Sequence, residues 1–406
     1  MPESPEEPLL PSVSELIDRA LERLPDAHRQ SARDALRNLK ELLMESRAPR
    51  LMIVGRRGAG KSSLINALCG ERAAEVGAVL STTGRPTWYT AKSPRGELAV
   101  LDTRGLGDRT KPEAANFRDA VDEIRAALVK DFPDAILFLI KAKEVDAHIA
   151  EDIANVRDIR RYVKDRHGYE APVVAIVTQV DELDPKRVEP PYADAAKQAN
   201  IRTAVEAVGA ALYEQGVELA RVIPVSAYAE YGAAGERTYD NYWNVDTLVE
   251  YLVDVLPQSA QVQMARLSRV RAAQAKAARK MTGAAATLAG AIAATPIPVA
   301  DILPITGLQI GLITGIAYLA GRELSRKAAK EFLVALGANL GAAFALRELA
   351  RAVGKFVFPG GGEVISAGIA FAGTWGIGEA AIAYFVENRS IAEAKERFRR
   401  KRKEGE

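Results

Sequence analysis

The segment 55–62 reads G-x-x-x-x-G-K-S, and it constrains the fold of this chain more than any other stretch. It follows the apolar run 51–54, and residues 63–68 predict a helix directly behind it. A buried strand, a glycine-rich turn and a helix in this order form a phosphate-binding loop. The glycines let backbone N–H groups surround a phosphate, and the helix N-terminus favours its negative charge. We expect Lys61 to contact the β- and γ-phosphates and Ser62 to bind Mg²⁺.

Composition bounds the number of domains and excludes several kinds of site. A chain of 406 residues is expected to form two or three domains. The net charge of +2 gives no overall field that would attract nucleic acid. The single cysteine, Cys69, excludes an intrachain disulfide and a cysteine-based zinc site, and we expect it to be packed. The first residues lack a signal pattern, so we expect a cytoplasmic protein with a disordered start at 1–11.

Two elements after the loop supply candidate ligands for Mg²⁺. The segment 97–101 predicts a strand that ends in D-x-x-G, formed by Asp102 and Gly105. The Asp102 carboxylate would hold the metal shell, and the Gly105 amide would meet the γ-phosphate. One of two threonines in the preceding loop, Thr82 or Thr83, would complete the shell through an oxygen, which is the ligand Mg²⁺ prefers. The sequence does not choose between them.

Two further strand ends indicate recognition of guanine. They carry Thr178, Gln179 and Asp181 after the apolar run 172–177, and Ser226 and Ala227 after the run 221–225. The Asp181 carboxylate would accept hydrogen bonds from the guanine N1–H and 2-amino groups. Adenine lacks both donors at that edge, which would leave the carboxylate unpaired. The loop of Ser226 and Ala227 would present a backbone N–H to the guanine O6.

Strands and helices alternate along this half of the chain. The near-continuous apolar run 135–140 is typical of a strand covered on both faces. This alternation predicts an α/β fold with a doubly wound, mostly parallel sheet, whose ligand loops lie at one edge.

These motifs resemble the translation-factor-class GTPases, and within them the Era-like and dynamin-like branches, over roughly 50–256. The resemblance implies binding of GTP or GDP with Mg²⁺, slow hydrolysis, and switch loops near 77–86 and 102–113. It assigns nucleotide contacts to Gly55, Arg56, Gly58, Ala59, Gly60, Lys61, Ser62, Ser63, Thr178, Gln179, Asp181, Ser226 and Ala227.

The sequence departs from the family pattern at several positions. Thr178 and Gln179 replace the usual asparagine and lysine, and Gln179 lacks the long stem and charge that cover the base, which predicts weak nucleotide affinity. Leu106 stands where Ras-like enzymes keep a water-positioning glutamine. Gly58 replaces the asparagine or serine with which some relatives recruit a monovalent cation, so that route is not supported.

Charge stabilisation of the γ-phosphate must therefore come from another group. An inserted arginine is worth about 10³–10⁵ in rate. Arg56, Arg57, Arg85 and Arg104 flank the expected phosphate site, and we expect Arg57 to act in cis or across a dimer of GTPase domains. The alternative is that Arg56 and Arg57 are simply solvated.

The second half of the chain is basic and rich in small apolar residues. No Asp or Glu occurs at 258–300, and Arg266, Arg269, Arg271, Lys276, Arg279 and Lys280 predict a strongly basic helix. The apolar stretches at 282–300 and 305–321 are joined by a proline-rich turn, and further apolar runs follow at 332–346 and 364–386. The stretches allow a constitutive membrane hairpin, a buried helical hairpin, or peripheral attachment to anionic lipid with conditional insertion, and we favour the last of these. The basic run at 397–403 is either a lipid-surface anchor or a solvated tail.

Further resemblances suggest how the domains are arranged. The segment 296–304 is similar to a helical domain of unknown function that follows Era-like GTPase domains in bacteria and is often membrane-associated. The overall plan resembles the interferon-inducible immunity-related GTPases. We expect N-terminal helices at 12–49 packed on the C-terminal domain, a GTPase domain at 50–257, a helical membrane-associating domain at 258–395, and a basic tail at 396–406.

Together these features predict a GTP-hydrolysing switch that controls a helical, membrane-associating or self-assembling domain. Its expected partners are guanine nucleotide, an anionic membrane surface at the inner face of the cell membrane, and a second copy of the chain. One alternative is a nucleotide-binding scaffold with negligible hydrolysis, acting through a protein partner. A ribosome- or RNA-linked GTPase ranks last, because no recognisable RNA-binding module follows residue 257 and aromatic residues barely interleave the basic run.

Overall fold

The computed structural model divides the chain into two compact units. The α/β unit is Arg47–Val270, and the helical unit combines Met1–Ser46 with Arg271–Glu406. The structure describes residues 26–72, 87–102, 120–145, 149–217, 221–233, 235–293, 302–323, 326–337 and 362–405. The predicted disordered start, most of both switch loops, and most of the apolar run at 332–346 lie outside these residues.

A six-stranded sheet forms the centre of the α/β unit. Its strands are β1 (Arg50–Gly55), β2 (Thr87–Ser93), β3 (Gly96–Asp102), β4 (Ala135–Lys141), β5 (Val173–Thr178) and β6 (Arg221–Pro224). They lie in the order β2-β3-β1-β4-β5-β6, and only the edge strand β2 pairs antiparallel within this sheet. A separate hairpin pairs β7 (Ala229–Tyr231) with β8 (Arg237–Asp240). The predicted α/β fold is confirmed.

The central strands are buried on both faces, as their continuous apolar runs predicted. Every residue of β5 is buried, and so are the first six of β4. The helices of this unit are α2 (Lys61–Cys69), α3 (Ala120–Ala127), α4 (Ile149–His167), α5 (Ala195–Glu214), α6 (Val245–Val255) and α7 (Gln258–Ser268). From β1 the chain runs to the edge strand β2, comes back through β3, and then crosses to β4 on the other side of β1. The loops after β1 and β4 therefore diverge, which opens a crevice at the carboxyl edge of the sheet.

The predicted long basic helix is wrong in one respect, because two helices occupy this segment. Helix α7 ends at Ser268, Arg269 adopts a left-handed conformation with φ 61°, and the next helix begins at Arg271. Helix α7 packs on β3, α2 and α6 within the α/β unit. Cys69 of α2 is fully buried, as expected, and burial raises the pKa of its thiol to about 12.

The helical unit is built around one long, alanine-rich helix. Its elements are α1 (Asp26–Leu43), α8 (Arg271–Ala293), α9 (Ile302–Leu319), α10 (Arg326–Gly337), α11 (Gly362–Ala381), a π-helical turn (Ile382–Val386) and α12 (Ile391–Gly405). Helix α8 packs against α1, α9 and α11. Leu36, Leu39 and Leu42 of α1 are buried. The basic run at 397–403 belongs to α12, which packs on α11, so it is not an extended tail.

A buried carboxylate joins three segments of the helical unit. The Glu379 side chain is only 3% exposed; its Oε1 lies 3.1 Å from Arg279 Nε and its Oε2 lies 3.5 Å from Arg397 Nε. Arg397 Nη1 also donates to Glu387 at 2.6 Å. We call Arg279, Glu379, Glu387 and Arg397 the Glu379 cluster. It connects α8, α11 and α12 through charge.

Two glycines of α11 allow neighbouring helices to approach closely. A Cβ on Gly376 would lie 2.9 Å from Cδ2 of Phe398, and a Cβ on Gly378 would overlap with Thr282. A Cβ on Gly373 would meet nothing within 4 Å. Gly376 and Gly378 are therefore needed for close helix contact, whereas Gly373 is not.

Among the described residues, one helix, Ala367–Val386, is long and apolar enough to cross a membrane by length and composition. Within that stretch, 67% of the window is buried inside the protein. A core helix of a helical bundle has the same composition, and this one also carries Glu379.

Candidate nucleotide-binding site

The phosphate loop lies between β1 and α2, where its glycines have distinct steric roles. Gly58 and Gly60 adopt φ values of 75° and 82°, in the left-handed region that side chains disfavour. A Cβ on Gly55 would lie 2.8 Å from the carbonyl oxygen of Leu139 on β4. Ala59, between the two left-handed glycines, is buried. Glycine at these three positions therefore lets the loop keep this shape without steric strain.

The polar side chains of the loop lie at the first turn of α2. Lys61 Nζ donates to the carbonyl oxygen of Gly55 at 2.9 Å, so the lysine folds over the loop. Ser62 is exposed and Ser63 is half-buried. Positive charge, an exposed hydroxyl and the N-terminal end of a helix lie together here, which is the chemistry that binds a phosphate group.

The two arginines of the loop have different surroundings. Arg56 forms a two-pronged pair with Asp152 of α4, with Nε at 2.7 Å and Nη2 at 3.3 Å from the carboxylate oxygens. The hydrogen bond to Asp152 raises the pKa of Arg56. Arg57 is exposed and forms no ion pair with any described residue. Arg56 is thus held against α4, whereas the Arg57 side chain is exposed at the surface of the loop.

The residues at the end of β5 bind directly to the phosphate loop. The buried Thr178 donates through Oγ1 to the carbonyl oxygen of Ala59 at 2.9 Å. Gln179 has a left-handed φ of 58°, and its Nε2 donates to the carbonyl oxygen of Gly58 at 2.7 Å. These two residues replace the asparagine and lysine of the family pattern, and both fix the guanine loop against the phosphate loop.

The residue expected to recognise guanine is oriented from a second loop. Ser226 Oγ donates to Asp181 Oδ1 at 2.9 Å, which joins residues that are 45 positions apart. Ser226 exchanges two backbone hydrogen bonds with Trp243, at 3.1 and 3.0 Å, so its position is fixed. Ala227, half-buried, follows directly. The structure therefore brings Asp181, Ser226 and Ala227 to one place.

Sequence reasoning missed two lysines at this site. Cε and Nζ of Lys141, the last residue of β4, both lie 3.4 Å from the position of a Cβ on Gly58, and Nζ pairs with Glu144 at 2.8 Å. The sequence does show a cation at the end of an apolar strand, and this pattern could have identified Lys141 as a site residue. Lys197 of α5 is fully buried and donates to the carbonyl oxygens of Asp181 and Leu183. Nothing in the local sequence distinguishes it from a surface lysine.

Several predicted site residues lie outside the described residues. They are Thr82, Thr83, Arg85, Arg104, Gly105 and Leu106. Asp102 ends β3 and pairs in register with Ile53 of β1, so it lies at the same sheet edge as the phosphate loop. Ser62 and Asp102 offer a hydroxyl and a carboxylate, and these hard oxygen ligands fit Mg²⁺. No cluster of three or more His, Cys, Asp or Glu residues that could hold a metal occurs in the described part of the chain.

Comparison with known proteins agrees with this geometry. The family model of the 50S ribosome-binding GTPases matches residues 50–179. The chain carries a P-loop GTPase domain. A second family model, a domain of unknown function (DUF697), matches residues 257–404. The expected Era-like GTPase domain and the helical domain that follows it are therefore confirmed.

Two related proteins each match half of this chain or less. GTPase Der of Persephonella marina is 27% identical over 178 residues, which cover 43% of this chain and 36% of the relative. GTPase Era of Streptomyces coelicolor is 29% identical over 50% of this chain and 53% of the relative. The chain thus spans between about a third and about half of these relatives.

Solved structures show only a distant likeness. Toc33 from Arabidopsis thaliana is 14% identical, with a TM-score of 0.33 over 60% of this chain and 95% of that chain. Era in complex with MgGDPNP and a segment of 16S ribosomal RNA is 18% identical, with a TM-score of 0.31 over 58% of this chain and 68% of that chain. Such values carry no argument about partners.

Proposed function

We propose that this protein binds GTP and GDP in the crevice of the α/β unit and hydrolyses GTP. The observation that supports this most is the direct bonding of the two loops, Thr178 to Ala59 and Gln179 to Gly58, with Asp181 held by Ser226. One rigid frame would then present phosphate ligands and base ligands together. Lys61 would bind the phosphates, Asp181 the base edge, and Ala227 the guanine O6.

Mg²⁺ would be bound by Ser62 and by Thr82 or Thr83, and the Asp102 carboxylate would hold the coordination shell of the ion. When bound, the ion would neutralise charge on the β- and γ-phosphates during transfer. Ser62 lies at the first turn of α2 and Asp102 at the end of β3, so one backbone frame carries both ligands. The Gly105 amide would meet the γ-phosphate.

Binding is tested by titrating the full-length protein with GTP, GDP and ATP in the presence of Mg²⁺. We expect GTP and GDP to bind and ATP to bind at least about 100-fold more weakly, because an unpaired carboxylate would face adenine. Multiple-turnover phosphate release then tests hydrolysis. Equal affinity for ATP and GTP would refute the assignment of Asp181, and an absence of GTP binding would refute the proposed function.

Arg57 is the group that we propose supplies catalytic positive charge, in cis or across a homodimer of GTPase domains. Its exposure supports this role, whereas Arg56 is already paired with Asp152. Arg57→Ala should lower the turnover rate about 10³-fold or more while GTP still binds. Mixing this variant with a Lys61→Ala variant distinguishes the two arrangements. Recovery of turnover in the mixture indicates an arginine supplied across the dimer, and a parental rate in Arg57→Ala alone removes Arg57 from catalysis.

The nucleotide state would control the association of the helical unit with anionic lipid at the inner face of the cell membrane, or its self-assembly. Exposed cations on α12, namely Arg399, Arg400 and Lys403, support lipid attachment, since each cation near such a surface contributes about 1 kcal/mol. Turnover measured with anionic and with neutral liposomes, at several protein concentrations, tests this. Stimulation by anionic lipid that grows with concentration supports it, and Arg399→Gln with Lys403→Gln should abolish the effect. Turnover that is indifferent to lipid and concentration would refute it.

A nucleotide-binding scaffold is the second candidate function, favoured by Gln179 and Leu106. In that case GTP would bind, but phosphate release would not exceed one equivalent per protein. A ribosome- or RNA-linked GTPase ranks third. Retention on RNA at moderate salt, without retention on liposomes, would reverse this order.

A further inference from the structure

A buried lysine supports the turn that carries the candidate guanine-binding residue. Lys197 is 0% exposed, and its Nζ donates to the carbonyl oxygen of Asp181 at 2.7 Å and to that of Leu183 at 2.5 Å. These carbonyls lie within and just after the single helical turn Val180–Glu182. One ammonium group thus holds the middle of the turn and the residue that follows it.

Burying the ammonium group of Lys197 costs free energy, and close packing alone would not need a charged group here. Lys197 lies in the first turn of α5, at the positive end of the helix dipole, where a cation is disfavoured. Burial lowers the pKa of Lys197, although the negative charges of Asp181 and Asp184 act to raise it, and no carboxylate of a described residue lies within ion-pair distance of its Nζ. An apolar side chain of the same length would fill this space without the cost of burying a charge. The charge therefore needs a role beyond filling the core.

The remaining contacts show what the ammonium adds. Ser226 fixes one carboxylate oxygen of Asp181 from the side-chain end, whereas Lys197 fixes the main chain of the same residue. The ring of Tyr192 lies 5.0 Å from the ammonium and closes the pocket around it. With both supports, the backbone and the carboxylate of Asp181 have fixed positions before any ligand arrives.

We propose that Lys197 is a positioning residue for guanine specificity, which fixes the turn so that the Asp181 carboxylate meets the 2-amino group of the base. This inference rests on the proposed function. Its consequence can be measured, because inosine triphosphate differs from GTP only in lacking that amino group. A hydrogen bond from the amino group to a fixed carboxylate should favour GTP by about 10- to 100-fold.

The test compares the dissociation constants of GTP and inosine triphosphate, with Mg²⁺, for the full-length protein and for Lys197→Met. We expect the dissociation constant of inosine triphosphate divided by that of GTP to fall at least about 5-fold in the variant, because GTP binds more weakly while inosine triphosphate changes little. Val208→Ala is the matched control, since Val208 is a fully buried residue of the same helix. This change destabilises the helix as well, but it should keep the parental ratio. A parental ratio in folded Lys197→Met would overturn the inference.

A second variant covers the case in which Lys197→Met does not fold by circular dichroism. Lys197→Gln keeps an N–H donor on a side chain one bond shorter, so it cannot hold both carbonyls, and its ratio should also fall. An unchanged ratio in this variant again overturns the inference. If the parental protein binds neither nucleotide, the proposed function itself fails, which is a separate outcome.

Discussion

The two units of this protein place their decisive polar groups in opposite ways. In the α/β unit these groups lie on loops at strand ends, and they bond mostly to backbone carbonyls, as Gln179 does to Gly58. In the helical unit the Glu379 cluster lies between helices, and it joins side chains that are 100 positions apart in sequence, Arg279 and Glu379. The first arrangement leaves donors at an open edge for a ligand. In the second arrangement the charged side chains pair with one another inside the unit, which suits a structural role.

Lys61→Ala should produce the largest effect. It tests whether the polar groups of the α/β unit serve a ligand rather than stability. Removal of a cation aimed at the transferring phosphate is expected to lower kcat/KM for GTP by about 10³-fold, with little change in stability. Steady-state phosphate release and thermal unfolding would measure both. Lys92→Ala is the control, because that lysine is 71% exposed on the edge strand and its loss should change neither quantity. A large loss of stability in Lys61→Ala would show that this lysine is structural.

Arg397→Met tests whether the ion pairs of the Glu379 cluster stabilise the helical unit. It leaves the buried Glu379 with Arg279 as its remaining partner, and the loss of one partner of a buried polar group costs about 1–3 kcal/mol of unfolding free energy. Chemical denaturation measures the change. Arg400→Met, on the same helix but 64% exposed, should cost less than about 0.5 kcal/mol. Equal effects of the two substitutions would mean that the Glu379 cluster does not stabilise the unit.

Gly378→Ala tests close helix packing in the same unit. The new methyl group would overlap with Thr282 on α8, and such overpacking costs about 1–3 kcal/mol. Gly373→Ala in the same helix meets nothing within 4 Å and should stabilise the protein by up to about 1 kcal/mol through helix propensity. Equilibrium unfolding of both variants gives the comparison. If both substitutions stabilise the protein, α11 is not closely packed against α8.

Gln179→Ala should have the smallest effect. It removes a hydrogen bond between the loop after β5 and the phosphate loop. Loss of one hydrogen bond to Gly58 is expected to raise the dissociation constant of GTP about 5-fold. Gln179→Lys should lower it, because the longer, charged side chain would also cover the base. Titration of both variants with GTP and GDP is sufficient. No change in either variant would mean that the loop bond is dispensable.

The sequence predicted the α/β sheet and the phosphate loop well because both depend on local order. A buried strand, the glycines and Lys61 follow one another directly, and parallel strands bring their ends to one edge. Arg269 broke the predicted basic helix, since a non-glycine residue in the left-handed region leaves no composition signal. Lys197 gave no signal either, because it is defined by partners that only the folded chain brings near. Glu379 does stand out as the one charged residue of the apolar run 364–386, but the sequence does not show which arginines pair with it.

The burial of Cys69 has a practical consequence for following this protein in solution. At pH 7 to 8, a thiol whose pKa is raised to about 12 exists as the reactive thiolate only to about one part in 10⁴ or less. A cysteine introduced at an exposed position, such as Arg399→Cys on α12, would react with maleimide far faster than the native one. The unmodified chain is therefore ready for single-site attachment of fluorophores or spin labels, without first removing its own cysteine.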